Sequence, residues 1–344
     1  MLFKPVIIEQ IHEETKGFKT FVFKEGHGID YQAGQYLTFV HRTELQELRR
    51  SYSIVSAPLL GEQLTIGVKR IENGAFSRYL VDRAQPGEQL MTTGAGGLFI
   101  LPPDIVSFKK LFFLAAGSGI TPIISLLKTS LYFHKHLRTV LLYSNPSPEA
   151  TAFLSVLQTL WDNFAGRFDL QLFFGNEPDL RRARLNRESL SMLLVNQQLD
   201  ASFSETLFYI CGPESYMRMC TYTLQELGVP RNNIKRENFI IDRLVPASAQ
   251  PPDQTTRVVD LRYDRHHYRF KVAFPDSILH AAKKHGIELP YSCETGRCGN
   301  CTARCVSGKV WLSYNEVLTD KDLQQGLTLT CVGHPVGGDV SLEI

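Results

Sequence analysis

The stretch that decides the reading is Pro290-Tyr291-Ser292-Cys293-Glu294-Thr295-Gly296-Arg297-Cys298-Gly299-Asn300-Cys301-Thr302-Ala303-Arg304-Cys305, with a distant Cys331 in LTLTCVGH. Four of the seven cysteines fall in that short run, and such clustering points to metal rather than to disulfides. Cys293-x4-Cys298-x2-Cys301 plus one remote cysteine is a spacing that sets four thiolates around a [2Fe-2S] cluster. Structural zinc suits four thiolates too, but its modules usually show two C-x2-C pairs, not a tight triplet facing a lone cysteine. Gly296 and Gly299 let the loop wrap tightly and aim N–H groups at sulfur. Cys305 reads as a small buried residue of the next strand, and Cys331 as part of a later strand.

Outward from the cysteines, residues 257–344 form one module. VVDLRYD and HYRFKVAF alternate like a hairpin, and SILHAAKKHGI is a short amphipathic helix. It carries eleven Lys plus Arg against ten Asp plus Glu, so no strong field steers a separate donor to it. An attached donor gains effective concentration instead. Residues 244–256, rich in Pro, Ala, Ser and Gln, read as a linker. Before it, residues 104–243 alternate buried strands such as KLFFLAAG, TVLLYSN and TLFYICG with amphipathic helices, the pattern of an α/β parallel sheet covered on both faces. Residues 1–103 give the short alternating strands VIIEQI, FKTFVF, QYLTFV, SYSIV, LTIGVK and EQLMT, an antiparallel β-barrel, with one helix at 76–82.

A chain of 344 residues allows several such cores. The net charge of +2 gives no footprint for nucleic acid or an anionic membrane surface, and the longest apolar runs are strand-sized, so no membrane insertion is expected. The N-terminus lacks the pattern of a secretory signal, which makes the expected location cytoplasmic.

The cysteine segment resembles plant-type ferredoxins across its whole module, an α+β β-grasp domain. Arg50-Ser51-Tyr52-Ser53 and GVKRIENGAFSRYL, which contains Val68 and Lys69, resemble the flavin-binding elements of the ferredoxin-NADP reductase family. Arg pairs bidentately with phosphate, Tyr stacks on a ring system, and the Ser53 hydroxyl suits the reactive flavin nitrogen. Gly74-Ala75-Phe76-Ser77 opens a helix whose N–H groups and hydroxyl suit a pyrophosphate. Gly97-Leu98-Phe99 resembles the family's G-x-F element and, with the others, implies FAD rather than FMN.

Gly117-Ser118-Gly119-Ile120-Thr121-Pro122 after a strand resembles the family's G-x-G-x-x-P, where glycines let backbone approach a phosphate. Cys211-Gly212-Pro213 resembles its C-G-P, which puts a cysteine beside the nicotinamide; the alternative for Cys211 is a buried core thiol. Glu237-Asn238-Phe239 resembles E-x-F, whose aromatic covers the flavin. The resemblance covers essentially the whole chain. It implies a hydride passed from NAD(P)H to FAD, with Ser53 and Cys211 at that step. Single electrons then pass through a [2Fe-2S] cluster on Cys293, Cys298, Cys301 and Cys331 to an acceptor protein, an oxygenase component or a hybrid-cluster or other redox protein. A zinc-containing, non-redox nucleotide-binding module is the competing class. For the coenzyme, Pro146-Ser147-Pro148-Glu149 lacks the Arg of many NADPH-using relatives and no acid ends the preceding strand. Arg181, Arg182 and Arg184 are then the candidate phosphate contacts, with the segment Tyr143 to Glu149 beside them.

Overall fold

A computed structural model describes residues 3–42, 47–178, 183–196, 203–239 and 250–344. Arg181 and Arg182, and the first six residues of the expected linker, lie outside the described residues. The chain divides into two compact units, one of Phe3–Asn238 and one of Phe239–Ile344.

The larger unit opens with six strands: β1 (Lys4–Thr15), β2 (Phe18–Phe23), β3 (Tyr36–Arg42), β4 (Glu47–Ser53), β5 (Thr65–Lys69) and β6 (Gln89–Gly96). They pair antiparallel in the order β4-β3-β6-β1-β2-β5. An Ile54–Ile66 bridge and the Val55 N–H donating to the Thr65 carbonyl join the two edge strands and close the barrel. Alternation explains the core: Val6, Ile8, Phe21, Phe23, Leu37 and Phe39 turn inward and are essentially fully buried. Helix α1 (Ala75–Asp82) follows β5 and plugs the barrel with Phe76 and Leu80.

The second sheet is wholly parallel. Strands β7 (Lys110–Ala116), β8 (Arg138–Asn145), β9 (Phe168–Phe174), β10 (Thr206–Cys211) and β11 (Ile234–Glu237) run in the order β11-β10-β7-β8-β9. Helices α2 (Ile120–Phe133), α3 (Leu154–Asn163), α4 (Arg187–Asn196) and α5 (Glu214–Glu226) connect them. Buried apolar side chains pack on both faces, which is why β7 reads as the unbroken run LFFLAA. From β7 the chain goes to β8 on one side, while β10 lies on the other; this is a topological switch point, with a crevice at the strands' carboxyl ends.

Barrel and parallel sheet share a core. Phe18, Ala33 and Val55 of the barrel belong to the same buried cluster as Phe113, Leu126 and Tyr143. Phe18 meets Phe153 edge-on at 5.9 Å, and Phe99 of the G-x-F element meets Tyr209 edge-on at 5.1 Å. The buried Ser125 hydroxyl donates to the Ser56 carbonyl at 2.6 Å, and Lys128 pairs with Glu62. Each large apolar side chain so buried is worth about 1.5–3 kcal/mol, so the seam adds substantially to stability.

The smaller unit is a mixed sheet in the order β13-β12-β18-β14-β16, where β12 (Arg257–Tyr263) and β13 (His266–Val272) form the expected hairpin. Strand β18 (Val340–Glu343) pairs parallel to β12 and antiparallel to β14 (Thr302–Ser307). Strand β15 (Val310–Leu312) pairs with β17 (Gly333–Pro335), β16 spans Leu327–Leu329, and the helices are α6 (Ile278–Lys284) and α7 (Asp320–Gln324). Cys331 is not on a strand, as expected from LTLTCVGH, but in the turn between β16 and β17. Cys305 lies on β14 but is only half-buried, its thiol near the Ser307 and Gly308 carbonyls. Among the described residues no helix is long and apolar enough to cross a membrane.

Gly34 tests the seam. It sits at φ +88°, and a Cβ there would lie 1.9 Å from the Phe99 carbonyl oxygen and 3.0 Å from the Leu126 side chain. Gly34→Ala is expected to destabilise the larger unit by roughly 2 kcal/mol or more, read as a lowered urea midpoint.

Candidate functional site

The crevice is built from turns that only small residues permit. After β7 the chain makes a tight turn at Gly117–Gly119, closed by Thr121 Oγ1 donating to the Ser118 carbonyl at 2.9 Å, and α2 begins with Pro122 in its first turn. A Cβ on Gly119 would sit 2.1 Å from the Cys211 carbonyl oxygen and 2.7 Å from the Gly212 nitrogen. One on Gly212 would meet the Ala116 Cβ at 2.9 Å. The two expected nucleotide turns are therefore in backbone contact. Pro213 is exposed and caps α5.

The barrel reaches the same place. A Cβ on Gly67 of β5 would lie 2.6 Å from Thr121 Cγ2, and the Lys69 ammonium lies 3.9 Å from where a Gly117 Cβ would be. The Tyr143 hydroxyl donates to the Gly117 carbonyl at 3.1 Å from beneath. Lys69 thus stands at the glycine turn as an exposed cation, while its neighbour Val68 is fully buried in the barrel. Sequence spacing suggested Lys69 but not that it reaches across to Gly117, because that contact depends on how the domains pack.

Cys211 and Glu237 stand opposite each other on β10 and β11, both buried. Cys211 belongs to the cluster on the barrel-facing side of the sheet. Burial, then the Glu237 charge, pushes the Cys211 thiol well up, and burial pushes the Glu237 carboxyl up to about 8. Burial thus favours the neutral form of both groups. Phe239 is 41% exposed and is the first residue of the smaller unit.

On the barrel, β4 is an edge strand bearing Arg50 and Tyr52, both half-buried, and it ends at the buried Ser53. Tyr52 packs 6.0 Å from Phe76 at the start of α1. Arg50 donates to the Arg49 carbonyl, and Ser51 hydrogen-bonds Thr38 at 2.9 Å. Gly74 is the extended N-cap of α1 and no side chain caps that helix, so its first N–H groups have no intrahelical or capping partner. The Ser77 hydroxyl is already committed: it accepts from the Ile71 N–H at 3.2 Å and donates to the Gly74 carbonyl at 3.1 Å. It braces the loop, leaving the α1 N–H groups and Arg50 as the donors an anionic flavin tail fits.

In the smaller unit the four cysteines come together. Cys293 interacts with Cys298 and Cys331, and Cys301 with Cys331. Cys293, Cys301 and Cys331 are buried and Cys298 is half-buried. Hydrogen bonds from Cys298, then Cys331, favour the Cys293 thiolate. The Thr295 N–H points at Cys293 Sγ at 3.4 Å, and the Thr330 N–H fixes the Cys301 carbonyl at 3.0 Å. Gly296 and Gly299 take φ +75° and +73°, as a wrapped loop requires; a Cβ on Gly296 would hit the Tyr314 carbonyl at 2.8 Å. Cys331 reaches the loop because the chain turns after β16. Among the described residues no three His, Cys, Asp or Glu side chains ring a single-ion position; the thiols meet in pairs. Four clustered thiols with N–H donors fit a [2Fe-2S] cluster.

Comparison with known proteins agrees. Residues 5–100 match the oxidoreductase FAD-binding domain, residues 113–221 the oxidoreductase NAD-binding domain, and residues 261–336 the 2Fe-2S iron-sulfur cluster binding domain. The chain is 30% identical to one of the subunits of the 1,2-phenylacetyl-CoA epoxidase of Escherichia coli (strain K12), over 99% of this chain and 97% of that one. It is 29% identical to the ferredoxin reductase component of the 3-ketosteroid-9-alpha-monooxygenase of Mycobacterium tuberculosis (strain ATCC 25618 / H37Rv), over 97% and 94%. The fold is that of the solved phthalate dioxygenase reductase, with a TM-score of 0.58 at 22% identity over 99% and 98% of the two chains.

The raised Glu237 carboxyl has a measurable consequence. Between its ordinary value of 4.5 and about 8, only the folded chain keeps the proton. Its contribution to stability is therefore full below that window and lost as pH rises through it. Glu237→Gln is expected to remove this fall, on the order of a few kcal/mol, when urea midpoints are compared from pH 5 to pH 8.5.

Proposed function

The chain belongs to the ferredoxin-NADP reductase family flavoproteins that carry a C-terminal [2Fe-2S] domain, and on that premise we propose which residues bring its electrons to an oxygenase component. It is an NAD(P)H-dependent oxidoreductase that uses FAD and a [2Fe-2S] cluster. When bound, the flavin converts a two-electron hydride into single electrons, which the cluster relays.

The chain's own residues supply binding and geometry. Arg50, Tyr52 and the N–H groups of Ala75 and Phe76 hold the flavin, with Val68 beneath and Ser53 offering its hydroxyl at the reacting edge. Ser51 and Ser77 keep β4 and the 71–77 loop in shape. Gly117, Ser118, Gly119, Thr121 and Pro122 form the coenzyme's phosphate turn, with Lys69 as counter-charge from the barrel. Cys211, Gly212 and Pro213 bound the nicotinamide, and the buried Cys211–Glu237 pair lies beside it, where burial favours the uncharged forms. No proton acceptor is needed to accept a hydride. The observation that carries this reading is the meeting of the Gly119 and Cys211 turns with Gly67 and Lys69 of β5, because it sets coenzyme turns and flavin strand side by side. Cys293, Cys298, Cys301 and Cys331 hold the exit cluster. The acceptor follows the relatives, which are named as parts of an epoxidase and a monooxygenase.

Cys298→Ser separates the two halves of the electron path, since oxygen is a harder and poorer ligand for iron than thiolate. The variant is expected to keep NAD(P)H-driven ferricyanide reduction while cytochrome c reduction falls roughly ten-fold or more, with loss of the cluster absorption. Parallel loss of both activities with flavin still bound would refute the separation.

Coenzyme choice is assigned to the segment from Tyr143 to Glu149 together with Arg181, Arg182 and Arg184. Asn145 is 6% exposed, with its amide beside the Tyr143 hydroxyl, and Arg184 is exposed. Replacing Arg181, Arg182 and Arg184 together by Ala is expected to shift the ratio of kcat/KM for NADPH over NADH downward. An unchanged ratio removes the arginines from the coenzyme site.

A further inference from the structure

Between Cys293 and Cys301 the chain carries a single basic residue, Arg297, directly before Cys298. Its side chain is 14% exposed, its Nε lies 3.3 Å from Glu316 Oε2, and its guanidinium carbon lies 5.4 Å from the centre of the Tyr314 ring. The Tyr314 hydroxyl donates to the other oxygen of the Glu316 carboxylate, so the three side chains form one group. Both partners sit on a short segment, 313–316, that backbone contacts also fix. The Glu316 N–H donates to the Gly296 carbonyl at 3.1 Å, and the Ser313 N–H donates to the Val332 carbonyl at 3.0 Å. That segment therefore ties the loop before Cys298 to the residue after Cys331.

A guanidinium stays charged in proteins and suits a stacked, ion-paired site. Adjacent Cα atoms are about 3.8 Å apart, which keeps this charge within about 10 Å of the Cys298 Cα. Burial leaves little water to screen it over that range. The other charged residue of the loop, Glu294, is offset from outside: its carboxylate lies 2.8 Å from Lys283 and 3.3 Å from His280, both on α6. Glu316 opposes Arg297, but its side chain is 29% exposed, so solvent damps its field more. The loop thus presents its ligand cysteines with a fixed positive charge.

We propose that Arg297 sets the reduction potential of the [2Fe-2S] cluster by favouring its reduced form, with Tyr314 and Glu316 holding the guanidinium in place. This rests on the placement of the cluster on Cys293, Cys298, Cys301 and Cys331 given above. Four thiolates and two sulfides outweigh the charge of two ferric ions, so the cluster is already negative, and net charge is one of the factors that set its potential. One of the two electrons held by the reduced flavin enters the cluster and adds a further negative charge. A nearby cation stabilises that added charge and draws the electron from flavin to cluster. The same electron then leaves to the acceptor protein, and no bond is made or broken at Arg297.

The experiment is a redox titration of the full-length holoprotein, with cluster reduction followed by visible absorption and by the paramagnetic resonance signal of the reduced form. Arg297→Gln is expected to lower the cluster potential by on the order of 59 mV, a ten-fold change in a one-electron equilibrium. Glu316→Gln is expected to raise it. Opposite signs are the signature of charge, because both variants break the same contact and a purely structural brace would move the potential one way or not at all. A fall in Arg297→Gln with a rise in Glu316→Gln supports the proposal, and any other combination overturns it. If one variant does not retain its cluster, the sign of the other decides alone. Iron and sulfide content of Cys298→Ser tests the ligand assignment separately. A full cluster in that variant sinks the assignment, whereas a lost cluster there with unshifted potentials in the Gln variants sinks only the role of Arg297.

Discussion

Two backbones that touch govern the larger unit. Gly119 lies so close to the Cys211 carbonyl that no side chain fits between them, and this closeness holds the turn after β7 against the turn after β10. Other elements of the crevice close on the same two turns. Tyr143 braces the first turn through the Gly117 carbonyl, β5 brings Gly67 and Lys69 against its outer side, and Cys211 is pinned with its thiol on the barrel-facing side of the sheet. Hydride transfer tolerates little error in distance, so a site assembled from two domains gains from a contact with no room to give.

Much of this was legible in the chain itself. The cysteine spacing named its cofactor because iron coordination fixes ligand order and number, and the barrel strands were legible because a half-buried strand must alternate. The glycine and proline turns were legible because only those residues meet their backbone demands. Elsewhere local pattern was a poorer guide. LTLTCVGH alternates like one strand, yet the chain turns at Cys331, because the thiol must reach a loop far away in sequence. Ser77 carries the right chemistry for a phosphate, but its hydroxyl serves the loop between Ile71 and Gly74.

The contacts between the barrel and the parallel sheet were not legible at all. Nothing in FKTFVF announces that Phe18 will meet Phe153, nor in GEQLT that Glu62 will pair with Lys128. Each depends on two segments far apart in sequence, and each partner alone is an ordinary strand or surface residue. Neighbouring burial likewise decides the state of Glu237, which a sequence reading would assign as an ionised carboxylate.

The shared core between barrel and parallel sheet has a consequence for how this protein can be taken apart. Sequence divides the chain near residue 103, but Phe18, Ala33 and Val55 belong to one buried cluster with Phe113 and Tyr143. A cut at that boundary would leave apolar faces bare on both fragments, and the two would behave as one cooperative folding unit rather than as exchangeable parts. The compact unit from Phe239 onward has its own sheet and its own internal contacts. Recombination between relatives would therefore respect the border at the linker and not the one at residue 103: the iron-sulfur portion is the movable cartridge, and the flavin and coenzyme portions travel together.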